Sequence, residues 1–239
     1  MSINYILVKF SNYAKDLLEG KIYLNSLEYY RGIEEILNGK EKDRNSAIND
    51  FLEGSLASVN RKDLEMIGLG DLEKEIGDNL VSNEHLFSEG LKYFKLFCLY
   101  ALLYDDERKV MIAPSKKLNQ FGCEYAVIIK DVEEFRKRLF SCLESGKEKY
   151  GIIEVKGDLV DYYNNDEKSK KLGPFNKTSD FWWQHEFRLV FKEMNPNLNA
   201  MIIEIGDISD IAYCVKTKEL LDDPGAYFPK YKMVFEKEE

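Results

Sequence analysis

The run FWWQHEFRLVF, residues 181–191, is where residue types and spacing could do chemistry. Two adjacent indoles lead into Gln184 and Glu186. If the apolar run that follows is a strand, Glu186 stands at its start and Arg188 lies two residues on, on the same face. The polar, lysine-rich segment NNDEKSKKLGPFNKTSD precedes it and reads as a long loop. Two readings are open. In one, Trp182 and Trp183 anchor the loop in the core while Glu186 and Arg188 make a solvated or structural ion pair. In the other, a carboxylate held at a strand start, beside aromatic surface and below a mobile loop, is placed to stabilise a ribosyl cation or to bind a ribose hydroxyl.

Other chemistries have little to work with. His85 and His185 are the only histidines, and neither has metal-ligand spacing to a cysteine or to the other, so no metal is expected and a hydrolase triad is poorly served. Neither G-x-x-x-x-G-K-[ST] nor G-x-G-x-x-G occurs. Carboxylate pairs are too frequent in this acidic chain to single out two-carboxylate catalysis. Lys168, Lys170, Lys171 and Lys177 form a basic group whose loop either is simply solvated or closes over a phosphate-bearing ligand, with Gly173-Pro174 as hinge. Tyr29-Tyr30 and Tyr162-Tyr163 could stack bases, although one member of such a pair usually serves the core. Glu53 reads as a surface carboxylate.

The elements that must position these groups follow from pattern. YILVKF predicts a strand, with Ser11 capping the helix NYAKDLLE and Gly20 ending it in the left-handed conformation. KIYL predicts a second strand. Asn25 with Glu28 has capping-box spacing for a helix that would carry Tyr29, Tyr30 and Arg31. Residues 38–50 read as an exposed charged loop, and residues 60–90 as interrupted helix. LKYFKLFCLYALLY, with VMIAP and EYAVIIK, predicts the centre of a sheet, and SKKLNQFG a short helix between them. Asp131 and Glu134 cap a longer helix with Val132, Phe135, Leu139 and Cys142 on one face. YGIIEV and DLVDYY read as a strand pair turning at Lys156-Gly157. EFRLVF, AMIIEIG, IAYCVK and YKMVFE predict four more strands, with KELLDD helical. The expected architecture is one α+β domain over residues 1–239, its sheet mixed or largely antiparallel.

Composition narrows the setting. The 239 residues carry 34 Lys+Arg against 43 Asp+Glu, a formal net charge of −9, which argues against general nucleic-acid binding by charge. No stretch nears the ~20 apolar residues of a membrane span, and the start shows no basic leader, so a cytoplasmic protein is expected. Cys98, Cys123, Cys142 and Cys214 are scattered in or beside apolar runs and read as buried free thiols.

Gln184-x-Glu186 at a strand start is similar to the [Gln/Glu]-x-Glu signature of ADP-ribosyltransferases. There the Glu contacts the nicotinamide ribose and the residue two before it orients the acceptor. More widely, GKIYLNSLEYYRGIEE, KLFCLYAL and PFNK…FWWQHEFRLVF, in that order along most of the chain, resemble a group of uncharacterised bacterial and phage proteins that look like ADP-ribosyltransferases. The resemblance implies NAD or a related nucleotide as cofactor, Glu186 and Gln184 as catalytic residues, and a cleft lined by Tyr23, Asn25 and Arg31 with Arg188 beside it. The chain departs from that pattern in two places. Its first strand offers only Lys9 where an Arg is usual, and its middle strand reads Phe97-Cys98-Leu99-Tyr100 where serines are usual. The alternative function is a non-catalytic phage or mobile-element protein that binds and inhibits a host or defence protein.

Overall fold

A computed structural model describes residues 4–27, 29, 57–59, 84–86, 92–164, 170–195 and 199–236. In chain order, β1 (Asn4–Ser11) leads through α1 (Ala14–Leu18) into β2 (Lys21–Ser26). The short strands β3 (Ala57–Val59) and β4 (Glu84–Leu86) precede β5 (Phe94–Asp105) and β6 (Val110–Ile112). A 3₁₀ helix (Lys116–Phe121) joins β6 to β7 (Tyr125–Ile129), which is followed by α2 (Val132–Ser145) and α3 (Lys147–Tyr150). Next come β8 (Ile152–Leu159), β9 (Asp161–Tyr163), β10 (Lys170–Lys171) and β11 (Asn176–Thr178). A second 3₁₀ helix (Ser179–Gln184) enters β12 (Glu186–Glu193), and the described chain continues with β13 (Met201–Glu204) and β14 (Ala212–Lys216). Last are α4 (Thr217–Asp222), α5 (Pro224–Tyr227) and β15 (Lys232–Val234).

The fold is α+β: its main sheet is antiparallel except where β15 joins β6 in parallel, β10, β3 and β4 form a separate small antiparallel sheet, and β9 and β11 pair in parallel as a ribbon of their own. The 12-residue β5, cut from the most apolar run of the sequence, is the spine. One edge of it takes β1 along Tyr100–Tyr104 and β2 at Lys95–Leu96; the other takes β12 along Phe94–Tyr100 and β6 at Tyr104–Asp105. From these, β7 and β14 extend beyond β1, β13 beyond β2, and β8 beyond β12.

Both faces of this sheet are covered, which is why β5 is apolar at consecutive rather than alternate positions. On one face Leu7, Phe97, Leu99, Ala101, Phe187, Leu189 and Phe191 pack against Ala14 and Leu17 of α1 and Phe135, Leu139 and Leu143 of α2. On the other, Val8, Tyr100, Leu102 and Ile128 meet Leu118, Trp183, Leu220 and Leu221, and a smaller group, Leu27, Leu96 and Val190, continues that face with Phe175 against it. Each fully buried Leu or Phe contributes about 1.5–3 kcal/mol.

Several local expectations are met. Asp131 accepts the Glu134 N–H at 2.9 Å, Ser115 caps the first 3₁₀ helix, and Gly20 has φ +84°. A β-carbon on Gly20 would also lie 1.8 Å from the Gly206 carbonyl oxygen, so glycine is required there twice over.

Others are corrected. Asn25 is no helix cap: it is a strand residue opposite Leu96, and Ser26 accepts the Tyr29 N–H in its place, at 3.0 Å. Ser11 accepts the Tyr13 N–H just outside α1 and leaves the helix without a side-chain cap. Lys156-Gly157 is no turn. The strand runs straight through it against β12, and Gly157 is there because a β-carbon would meet Leu189 Cδ2 at 2.8 Å. The lysine-rich segment is not all loop, since β10 and β11 lie within it. The four cysteines are free, as expected, but half-buried rather than buried. Within residues 60–90, expected as interrupted helix, residues 84–86 form strand β4, paired with β3; the rest of that stretch, with residues 38–50, Glu53 and Lys168, lies outside the described residues. Among the described residues no helix is long and apolar enough to cross a membrane.

Candidate functional site

Strand β12 sets the geometry. Its alternation places Glu186, Arg188 and Val190 on one face and Phe187, Leu189 and Phe191 on the other. The register puts Glu186 opposite Tyr100 and Arg188 opposite Cys98 on β5. What closes over them is the parallel ribbon β9–β11, in which Lys177 stands opposite Tyr162. The ribbon is tied to β12 by backbone and side chain: the Val160 N–H donates to the Glu186 carbonyl at 2.8 Å, and the Glu186 N–H donates to the Tyr162 hydroxyl at 2.9 Å.

Within this enclosure the Glu186 carboxylate is held on both oxygens. Arg188 Nε donates to Oε1 at 2.8 Å and Nη2 to Oε2 at 3.0 Å, the two-pronged geometry that makes such pairs strong. Lys177 Nζ lies 3.4 Å from Oε2 and donates to Gln184 Oε1 at 2.9 Å, with its ammonium over the Phe181 ring. Arg188 Nη1 donates to the Pro174 carbonyl at 2.6 Å, fixing the Gly173-Pro174 corner to the sheet. Glu186 is 7% exposed and Arg188 1%.

The electrostatics follow from that packing. Burial acts to raise the Glu186 carboxyl, but the Arg188 and Lys177 cations outweigh it, and donors including the Cys98 thiol add to them, so the carboxyl is held well below the usual carboxylate range. The Cys98 thiol moves the other way, pushed up by burial and then by the Glu186 charge. It is a poor nucleophile in this state. The Tyr162 hydroxyl is likewise raised, first by burial and then by Glu186.

The structure thus brings together Glu186, Gln184 and Arg188. Asn25 is buried on the same face, opposite Leu96 and therefore one row from the Cys98–Arg188 row across β5. Tyr23 has the same alternation as Asn25 but lies in the part of β2 that is paired with β13 and not with β5, 55% exposed and opposite Ile202. Arg31 lies outside the described residues. Lys9 donates to the Cys98 carbonyl at 2.8 Å and sits over the Phe97 ring.

Comparison with known proteins finds no matching family, no similar curated protein and no similar solved structure.

Two members of the cluster were missed by the sequence reading in these roles. Lys177 was grouped with the loop lysines, yet it is the second cation on Glu186. Its signal was the apolar residue on either side of the polar run, Phe175 and Phe181, which allow a short strand to be buried. Tyr162, read as a stacking surface, anchors the Glu186 backbone, while Tyr163 serves the core at 6% exposure.

His185, between Gln184 and Glu186, makes the turn from the 3₁₀ helix into β12 with φ +38°, a left-handed conformation rare outside glycine. Its ring stacks on Tyr100 at 5.7 Å, and its Nε2 lies 2.8 Å from Glu236 Oε2. It borders a cavity of about 220 Å³ with Trp182, Lys116 and Phe235. Lys177, Gln184, Glu186 and Arg188 are not among that cavity's lining residues.

Proposed function

We propose that this chain is a non-catalytic binding protein, of the phage or mobile-element kind that engages a host or defence protein. The observation that carries this reading is the state of Glu186. A carboxylate that meets a ribose needs a free face, and both oxygens of Glu186 are occupied by Arg188 and Lys177 inside a buried enclosure. The Cys98 position has a thiol in place of a serine hydroxyl, and the first-strand cation Lys9 is engaged by the Cys98 carbonyl. The arrangement holds the 173–184 segment on the sheet and fixes the entry to β12.

A second reading, a divergent ADP-ribosyltransferase-like protein taking NAD, is favoured by one observation. Gln184, Glu186, Arg188 and Lys177 converge, and what covers them is the short β9–β11 ribbon. With that ribbon, which carries Lys177, swung aside, a carboxylate held beside the Arg188 guanidinium would face solvent, a combination suited to a ribose and a phosphate.

One experiment separates the readings: incubation of the protein with labelled NAD and cell lysate, reading nicotinamide release and label transfer. The binding reading expects neither above the buffer rate, together with a stoichiometric protein partner on co-purification. Release that Glu186→Gln abolishes, without unfolding the protein, would overturn it in favour of transfer.

A further inference from the structure

The cavity beside His185, about 220 Å³, is separate from the buried Glu186 cluster. Trp182, Phe235 and Pro114 give it apolar walls, and Lys116, His185 and Glu236 line it with them as its ionisable groups. Apolar walls with a few convergent polar groups are what a small-molecule site has. We propose that this cavity binds a small aromatic carboxylate, its ring against Trp182 and its carboxylate on His185 Nε2 with Lys116 beside it, and that Glu236 takes the carboxylate position in the unliganded chain.

The imidazole is set in place before any ligand arrives. His185 keeps its left-handed backbone because its surroundings fix it: its N–H donates to the Trp182 carbonyl at 3.1 Å, its carbonyl accepts the Ala101 N–H at 2.8 Å, and its ring lies on Tyr100. Glycine or asparagine would take that backbone more readily, so the turn itself does not call for a histidine. What the ring adds is a nitrogen aimed at a carboxylate in the cavity. An ionised carboxylate only accepts, so Nε2 carries a proton and donates to Glu236 Oε2 whatever the charge of the ring.

Glu236 reaches this position on the segment that follows β15. The Ala113 N–H holds the Val234 carbonyl at 2.8 Å, but beyond it Phe235 is 68% exposed, and among the described residues His185 is the one partner of the Glu236 carboxylate. One contact at the surface is readily exchanged for another. After the exchange the cavity keeps the His185 donor and Lys116, which has no ion pair among the described residues. Two donors without a carboxylate select an anion, and the indole face of Trp182 selects a planar ring. A cation would find Glu236 already satisfied and Lys116 repelling it. The volume lies below the roughly 300–1,000 Å³ of drug-sized pockets, which limits the ligand to one ring or two fused ones.

The test is isothermal titration of the full chain with indole-3-carboxylate, its neutral amide and phenyltrimethylammonium. The carboxylate is expected to bind once per chain, and the amide about tenfold more weakly or worse, because it lacks the charge that His185 and Lys116 meet. Glu236→Gln should tighten the carboxylate by about threefold, since the internal competitor is gone, and Lys116→Met should weaken it by about threefold. His185→Asn, which suits the left-handed backbone and removes the ring, should abolish binding while the melting temperature shows the fold intact. Binding by Glu236→Gln where the wild type shows none would support the same site with Glu236 masking it. No binding by either protein at millimolar ligand, equal affinity for carboxylate and amide, tighter binding of the ammonium, or a weaker carboxylate complex in Glu236→Gln would each overturn the proposal. None of these outcomes depends on Glu186 or on a protein partner.

Discussion

Neighbouring strands of this sheet carry the same short pattern, a glutamate followed two residues later by a cation, and use it in opposite ways. On β12, Glu186 and Arg188 meet at 2.8 Å with side chains 9% and 1% exposed; on β8, Glu154 and Lys156 meet at 2.9 Å with side chains 45% and 69% exposed. The distances are alike. The surroundings are not, and they decide what each pair does. Beneath the β9–β11 ribbon the Coulomb attraction is little screened, and a carboxylate stripped of its partner has no water to replace it. On exposed β8 water screens the pair and ordering two long side chains offsets what remains. A distance alone therefore says little about an ion pair.

The sharpest way to break this contrast is Arg188→Ala. With the guanidinium gone, a buried carboxylate loses its main partner, and the expected destabilisation is about 3–5 kcal/mol in denaturant unfolding. Lys156→Ala in the same experiment should leave the unfolding midpoint where it was. Equal effects at the two sites would mean that the ribbon does not exclude water.

The indoles that lead into β12 give a parallel test. Trp183 is 5% exposed, packs against Phe121, and donates its ring N–H to the Asp180 carbonyl, so Trp183→Ala should cost about 3–5 kcal/mol. Trp182 is only half-buried, and its replacement should cost clearly less in the same assay. A reversed order would contradict the packing described here.

Acid sharpens the contrast within β12. Since the folded-state pKa of Glu186 lies below its unfolded value of about 4.3, its stabilisation is fully present above that value and is lost as pH falls through the folded one. The stability gap between wild type and Glu186→Gln should therefore be constant near neutrality and narrow below about pH 4. A gap that widened on acidification would place the pKa shift in the other direction.

A smaller destabilisation than at Arg188 or Trp183 is expected between the strands. Gly157→Ala sets a β-carbon 2.8 Å from Leu189 Cδ2 and 3.1 Å from the Phe187 ring, an overpacking that should cost about 1–3 kcal/mol, with the size decided by how far those side chains can yield. A neutral result would show that the two strands have slack at this point.

Much of the fold was legible because local chemistry and packing agreed. The apolar runs that became β1, β5, β7 and β12 are too long and too rich in branched and aromatic residues to sit elsewhere than in a covered sheet. Asp131 with Glu134 started α2 as their spacing says, because that helix lies on the surface where nothing competes with its cap. The misreadings came where tertiary contact overrode a local signal. Asn25 has good capping chemistry, but β5 offered a backbone ladder first, and the cap moved to Ser26. Gly157 after a lysine looks like a turn until Leu189 and Phe187 are found leaning across it. Two-residue β10 and three-residue β11 were beyond reach, since so few residues cannot display a period.

The same division runs through the candidate site. By itself the sequence determined that Glu186 begins a strand with Arg188 on its face, that an indole must be buried just before it, and that the thiols stay unpaired, because these depend on side-chain alternation and on the cost of wetting large apolar groups. Only the tertiary structure decided that Lys177 is the second cation on Glu186, that Tyr162 holds the Glu186 backbone, and that the carboxylate faces inward. Those facts depend on how the β9–β11 ribbon folds back over β12. Nothing in the local pattern of either segment encodes that contact; it arises when residues 9 and 24 positions away along the chain arrive at the same carboxylate and peptide.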